Sequence, residues 1–457
     1  MTKNMTQGNP AKLILLFTIP LLLGNFFQQL YNIADTFIVG RTIGVNALAA
    51  VGCTGSLMFF IIGFANGFTA GLSIITAQRF GAGDEQGVKY SYAAAILLSI
   101  AVTIILTIIS VVMARPILEI MRTPPEIIED AHRYIIVIFG GVGAALFFNL
   151  YSNIIRALGD SRTPLLFLVV VCIINIILDF ILILLFSLGV AGAAWATITA
   201  QAVSALLCFL YIKKKLPILE LNRHDWQVSK VILWEHIRVA LPMGFQASII
   251  AIGAIVVQFT LNNLGAVSVA AYTAAQKIDM VAVLPMMSFG ITMATYVAQN
   301  YGAKDIQRIS LGVRQCCIMS VTFSIIIGIV NFLAGHVLIT LFVGADQPEV
   351  VEQAQIYLTI NGLLYFVLAL LFIYRYTLQG LGQSFVPTIA GIMELFMRTF
   401  AAIILSQNLG FRGACLANPL AWIGACLPLG IAYFITMKRL TRSVPMITVQ
   451  PCMIQHK

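Results

Sequence analysis

The sequence predicts an all-α integral membrane protein with about twelve transmembrane helices in two six-helix bundles and both termini cytoplasmic. Three observations carry that expectation. Hydrophobic residues make up 60% of the 457-residue chain and charged residues only 10%, where soluble domains carry about 25% charged residues. Apolar runs of spanning length alternate with connections that differ in basic content. The second half also repeats features of the first at a nearly constant offset.

A span needs about 20 mostly apolar residues. The first is expected at 13–39. Lys3 and Lys12 before it superficially resemble a signal peptide, but the run continues to Val39 with no small-residue cleavage motif, so it reads as a retained span. Spans follow at 47–78, 89–113, 132–156, 164–187 and 190–212, the last two divided only at Leu188-Gly189. The polar connection KKKLPILELNRHDWQ then breaks the chain near its middle. Further spans are expected at 236–261, 268–300, 311–334, 355–378, 386–407 and 413–437, with a tight connection at Asn262–Gly265. The organisation is therefore an N-lobe (1–214), a cytoplasmic linker (215–234), a C-lobe (235–440) and a cytoplasmic tail (441–457).

Orientation follows from the basic residues. With the N-terminus inside, the inner connections hold about twenty Lys and Arg, counting Arg375, and the outer ones five: Arg41, Arg115, Arg122, Arg133 and Arg412. Lys277 and Arg398 fall within spans. The net charge of +9 thus belongs to membrane topology. It forms no basic stripe of the kind that binds nucleic acid. The eight cysteines show no CxxC spacing and the five histidines are scattered, so neither a disulfide framework nor a metal cluster is expected. FGGVGAALF (139–147) has GxGxxG-like spacing, but in an apolar span that means close helix packing. No Walker A sequence is present, so no nucleotide is expected.

The repeat is explicit. AQRFGAGD (77–84) pairs with AQNYGAKD (298–305), RALGDSRTP (156–164) with QGLGQSFVP (379–387), and LGVAGAAWAT (188–197) with LGFRGACLAN (409–418); Pro20 pairs with Pro242. Six spans per copy is an even number, so both copies insert in the same sense and face each other across a central cavity.

Polar residues inside spans carry the chemistry. Asn25, Gln28, Asn32 and Asp35 are spaced 3, 4 and 3 and lie along one stripe of the first helix. A carboxylate in hydrocarbon is costly, so Asp35 should face a cavity or a partner, or hold a proton. The competing reading is a structural acid near the helix end, wetted from outside, five residues before Gly40-Arg41. Asp179 lies deep in CIINIILDFILILLF with Asn175 one turn earlier; amide and carboxylate together suit a proton or a sodium ion. Glu394 and Arg398 have the i, i+4 spacing of an intrahelical pair, which favours a structural role. Lys277 is placed to neutralise Asp279. Met280, Met286, Met287, Phe289, Met293 and Tyr296 suggest an adaptable wall or ordinary packing.

With these motifs in place, the chain resembles the multidrug and toxic compound extrusion (MATE) family, in its prokaryotic branch with N-lobe coupling acids. The resemblance rests on LYNIADTFIVG, the paired AQxxGA(G/K)D loops, RALGDSRTP, NIILD and LGVAGAAWAT, and spans roughly residues 10–440. It implies secondary-active antiport of amphipathic organic compounds, often cationic, through a cleft and driven by a proton or sodium gradient. It implies coupling at Asp35, Asn175, Asp179 and Thr197, with sodium at those same four residues where sodium is the ion. Asn149 is a looser match. Asn25, Gln28, Asn32, Gln258, Glu394 and Arg398 are further cavity-lining candidates. The seventh and tenth spans lack the carboxylates of the branch with C-lobe acids, and Asp35 and Asp179 align near Val256 or Val257 and Ala402. Coupling is therefore expected in the N-lobe alone. No cofactor other than the coupling ion is implied, and the expected setting is a monomer in the plasma membrane (the inner membrane of a bacterium). The alternatives are a flippase of lipids or lipid-linked oligosaccharides with the same plan and, more distantly, an integral-membrane enzyme, for which no nucleophile–base or metal grouping is seen.

Overall fold

A computed structural model describes residues 4–344 and 346–443. The tail expected at 441–457 lies almost entirely outside the described residues. Those described are nearly all helical. The N-lobe comprises α1 (Pro10–Thr42), α2 (Val45–Gly81), α3 (Glu85–Ile120), the bent α4 (Pro125–Gly140 with Val142–Ala157), α5 (Arg162–Leu185) and α6 (Val190–Lys215). The C-lobe comprises α7 (Lys230–Leu264), α8 (Ala266–Gly302), α9 (Ile306–Leu341), the bent α10 (Pro348–Leu363 with Tyr365–Gly380), α11 (Phe385–Leu409) and α12 (Phe411–Arg442). Among the described residues, ten helices are long and apolar enough to cross a membrane alone, and the two bent pairs, each taken as one span, bring the total to twelve. The chain is a multi-pass membrane protein.

Local chemistry sets the helix boundaries. Asn9 caps α1 by accepting the Lys12 backbone N–H, with Pro10 in the first turn. Asp84 and Asp305, one in each AQxxGAxD motif, cap α3 and α9 by accepting the N–H of Gly87 (2.8 Å) and Arg308 (2.9 Å). The residue before each cap has positive φ, Gly83 at 71° and Lys304 at 59°. The second copy therefore holds a lysine in a conformation that favours glycine. Helices of 36 or so residues are about 54 Å long, well beyond a bilayer core, so they tilt and protrude.

Two features were not expected. The fourth and tenth spans, read as continuous, bend by 44° at Gly140–Gly141 and by 51° near Gly362. In addition, α5 and α11 each carry a π-helical turn, at Ile181–Leu185 and Ala401–Leu405. Both features recur in the two copies. The linker is shorter than expected, since α6 runs to Lys215 and α7 starts at Lys230. It docks on α3 through Asp225, which accepts from Gln86 (2.6 Å) and from the Asn222 backbone N–H. Those donors hold its carboxyl below the usual range.

The lobes meet on the side that carries the basic connections. A small apolar cluster crosses the seam, joining Ile74 and Ala77 of α2 to Val239 and Met243 of α7 and Ala294 and Ala298 of α8. Glycines of α2 bring the backbones together: a Cβ on Gly67 would lie 2.4 Å from the Met243 carbonyl oxygen, and one on Gly71 would lie 2.4 Å from the Ala240 Cα. The seam continues to Ser248 Oγ, which donates to the Phe60 carbonyl (3.2 Å). Farther along α2, Gly52 and Gly55 face open space. The lobes thus close toward the basic side and part toward the other.

Candidate functional site

On α1 the exposed residues form two sets. Phe26, Leu30, Ile33 and Phe37 make an apolar row suited to lipid. Gln28, Asn32 and Thr36 are exposed on a different side. Amides facing hydrocarbon are unfavourable, so this polar row faces the cleft where the lobes part. The stripe read from the sequence therefore splits by depth. Asn25 does not reach the acids: its Nδ2 donates to Ser288 Oγ of α8 (3.1 Å), and Thr18 meets Thr292 one turn or two below (2.8 Å). Both are contacts between lobes.

Asp35 is 9% exposed, Asp179 and Asn175 are fully buried, and Thr197 is 6% exposed. Burial removes the reading of Asp35 as a wetted helix-end acid. The carboxyl groups of Asp35 and Asp179 come within hydrogen-bonding reach of each other. Two ionised carboxylates are both acceptors and repel, so that approach calls for a proton or a cation between them. One oxygen of each, Oδ1, has no hydrogen-bond partner. With its amide oriented to satisfy both ends, Asn175 donates to Asp179 Oδ2 (3.2 Å) and accepts the Thr197 backbone N–H (3.3 Å). Tyr31 donates to Thr197 Oγ1 (3.4 Å). The π-helical turn begins two residues after Asp179, and such turns are frequent at functional sites. Four sequence-derived residues from α1, α5 and α6 thus converge on an oxygen-rich site that fits a proton or a small hard cation.

Other candidates lie elsewhere. Asn149 donates to the Ala145 carbonyl of its own helix (2.8 Å). Gln258 is exposed and donates to Asn262 (3.0 Å), one turn on. Glu394 does bind Arg398 (2.9 Å), but a second arginine, Arg375, binds its other oxygen at 2.6 Å. The sequence groups Arg375 with the inner connections, but it is buried inside α10, 5% exposed. Lys277 does not neutralise Asp279. The Asp279 carboxylate instead accepts from Tyr357 (3.2 Å) and Tyr365 (2.5 Å), while Lys277 is exposed. Met286, Met293 and Tyr296 are fully buried, so they pack a core and do not form a cleft wall.

The repeat makes the contrast between lobes concrete. At the offset of 223 that relates Pro125 to Pro348, Asn175 corresponds to Arg398 and Tyr134 to Tyr357. Arg398 lies against Gly253, where a Cβ would be 2.8 Å from its Nη1. The C-lobe therefore holds a guanidinium where the N-lobe holds the Asn175 amide. The four C-lobe groups Asp279, Arg375, Glu394 and Arg398 balance to zero when ionised. When ionised, Asp35 and Asp179 together carry two negative charges, and they form no ion pair among the described residues. Sequence reasoning missed Tyr31, which reaches Thr197, and Tyr357 and Tyr365, which hold Asp279. Tyr357 was findable, because the repeat sets it opposite another tyrosine, Tyr134.

Two six-span lobes closed at one face, with a buried acid site in one of them, define a membrane protein of the two-lobed transporter class. The chain belongs to the MatE family: the family model matches twice, over residues 20–181 and 242–406. Among curated relatives, it is similar to the probable multidrug resistance protein YpnP of Bacillus subtilis, at 28% identity over 78% of this chain and 79% of that one. Its fold matches a crystal structure of MATE in complex with MaL6 with a TM-score of 0.89, at 23% identity over 97% of this chain and 100% of the other. It also matches an outward-facing conformation of a multidrug resistance MATE family transporter of the MOP superfamily, with a TM-score of 0.88, at 24% identity over 96% and 98% of the two chains.

Proposed function

We propose that the protein is a cation-coupled exporter of amphipathic organic compounds, often cationic, working by alternating access with coupling confined to the N-lobe. The observation that carries this reading is the buried meeting of Asp35 and Asp179, each with an unpartnered oxygen. The names of multidrug resistance relatives support the export of varied compounds. In the proposed cycle, a proton or sodium ion enters from the open side and binds at Asp35, Asn175, Asp179 and Thr197. Neutralisation removes the repulsion between the acids and lets α1 repack. Pro20 within α1 breaks the helical hydrogen-bond ladder and supplies a hinge. Repacking draws the polar row at Gln28 and Asn32 away from the cleft and displaces the cargo. A gradient drives this only because the ion binds the two states differently.

The C-lobe supports the choice of cargo. Lipid-linked pyrophosphates call for a strongly basic cavity, and here Arg375 and Arg398 both bind Glu394. The test is efflux of a fluorescent organic cation from proteoliposomes under an imposed proton gradient alone, then a sodium gradient alone. We expect one of the two to drive efflux well above the leak rate. Efflux under neither, with scrambling of a labelled lipid in the same vesicles, would replace this reading with the flippase.

A further inference from the structure

The repeated AQxxG sequence is outside the ion site, and its geometry points to a function of its own. Gln78 of α2 donates through Nε2 to the carbonyl of Gly380 (2.8 Å), the last residue of α10 in the opposite lobe. Gln299 of α8 donates through Nε2 to the carbonyl of Ala157 (2.7 Å), the last residue of α4 in the opposite lobe. The backbones repeat the exchange. A Cβ on Gly81 would lie 1.9 Å from the Gln299 carbonyl oxygen, and one on Gly302 would lie 1.9 Å from the Gln78 carbonyl oxygen. Each copy of the motif thus supplies an amide that caps a helix end across the seam, and a glycine that admits the other copy's backbone. C-terminal helix carbonyls have no partner within their own helix, so each glutamine satisfies a group that its own lobe leaves unpaired.

We propose that the two AQxxG copies form a reciprocal seal on the basic side of the protein, with Gln78 and Gln299 as positioning residues that set how often that side opens. The seal is independent of which ion or cargo the cleft serves. Because its halves interlock, neither bond forms without bringing the other to its partner, and the seal opens and closes as one unit. One element breaks its symmetry. The Met5 backbone N–H donates to Gln299 Oε1 (2.9 Å), and the Met5 carbonyl accepts from Asn300 (3.3 Å) and twice from Arg308 (3.3 and 3.2 Å). The segment before α1 thereby pins the C-lobe copy and ties α1, which carries Asp35, to the seal. The Arg79–Glu235 pair (3.1 Å) spans the same seam but is about 40% exposed on both sides and contributes little.

The test uses the full chain in inside-out vesicles, with the native cysteines replaced and Ala294→Cys as reporter. Ala294 lies in the apolar cluster that crosses the seam. A membrane-impermeant maleimide added from the basic side should label the parent slowly. Gln78→Leu with Gln299→Leu should raise the labelling rate about tenfold, and each single change about threefold, as expected for two neutral hydrogen bonds. A Cβ on Gly63 would sit 3.8 Å from the Ala247 Cβ, a disulfide distance. Oxidising a Gly63→Cys/Ala247→Cys pair should therefore restore protection in the glutamine variants, which general loosening of the fold would not allow. Parent-like labelling of the folded double variant overturns the proposal, and so does labelling that the disulfide leaves unchanged. If the double variant fails to fold, Gln78→Asn and Gln299→Asn, each one methylene short of its carbonyl, carry the same readings.

Discussion

Asp35 and Glu394 are both buried carboxylates inside spans, and their surroundings assign them opposite roles. Glu394 has an arginine on each oxygen, so removing its charge strands two buried cations. Glu394→Gln should cost about 3–5 kcal/mol, read as a lower melting temperature of the purified protein in detergent. Asp35 has an unpartnered oxygen and a second acid beside it. Asp35→Asn removes a repulsive charge, so the melting temperature should hold or rise while gradient-driven transport is lost. Asn175 brings an amide rather than a charge to the proposed ion site, and Asn175→Ala should weaken the response to the driving ion about tenfold, measured as the ion concentration giving half-maximal efflux. At this scale the acids were legible because a carboxylate stands out in an apolar run. The tyrosines that hold Asp279 were not, because Tyr357 and Tyr365 blend into apolar sequence, and Arg375 sits close enough to a span end to be read as a connection.

At the scale of elements, the helices were readable as spans because length and apolarity are enough to specify one. The bends in α4 and α10 were not, since the glycines at 140, 141 and 362 read equally well as packing positions. The tight seam between α2 and α7 depends on glycines with no room for a side chain. Gly71→Leu should hold the lobes apart at Ala240 and raise exposure of the basic side, detected as faster hydrogen exchange in α7 around residues 236–244. Unchanged exchange there would mean that the seam tolerates the side chain and that α2 does not set the closure. The first helix joins both themes: its Thr18 and Asn25 hold α8, its Pro20 lies between them, and its Asp35 reaches the buried Asp179.

Across the whole molecule, the duplication was legible because the repeated motifs are turns and helix caps, whose backbone geometry admits few residues. The same alignment showed that the second copy lacks the acids of the first; what it did not show is Arg375 as a second buried partner of Glu394. In one lobe the buried Arg375 and Arg398 balance Glu394 and Asp279; in the other, Asp35 and Asp179 form no ion pair among the described residues. On the proposed reading, that asymmetry assigns the ion response to the N-lobe and a supporting role to the C-lobe. The most direct test is gradient-driven efflux of a fluorescent organic cation from proteoliposomes, comparing Asp35→Asn and Asp179→Asn with the unaltered protein at equal reconstitution. The account predicts that both variants fall to the leak rate. Full gradient-driven efflux in both would contradict it.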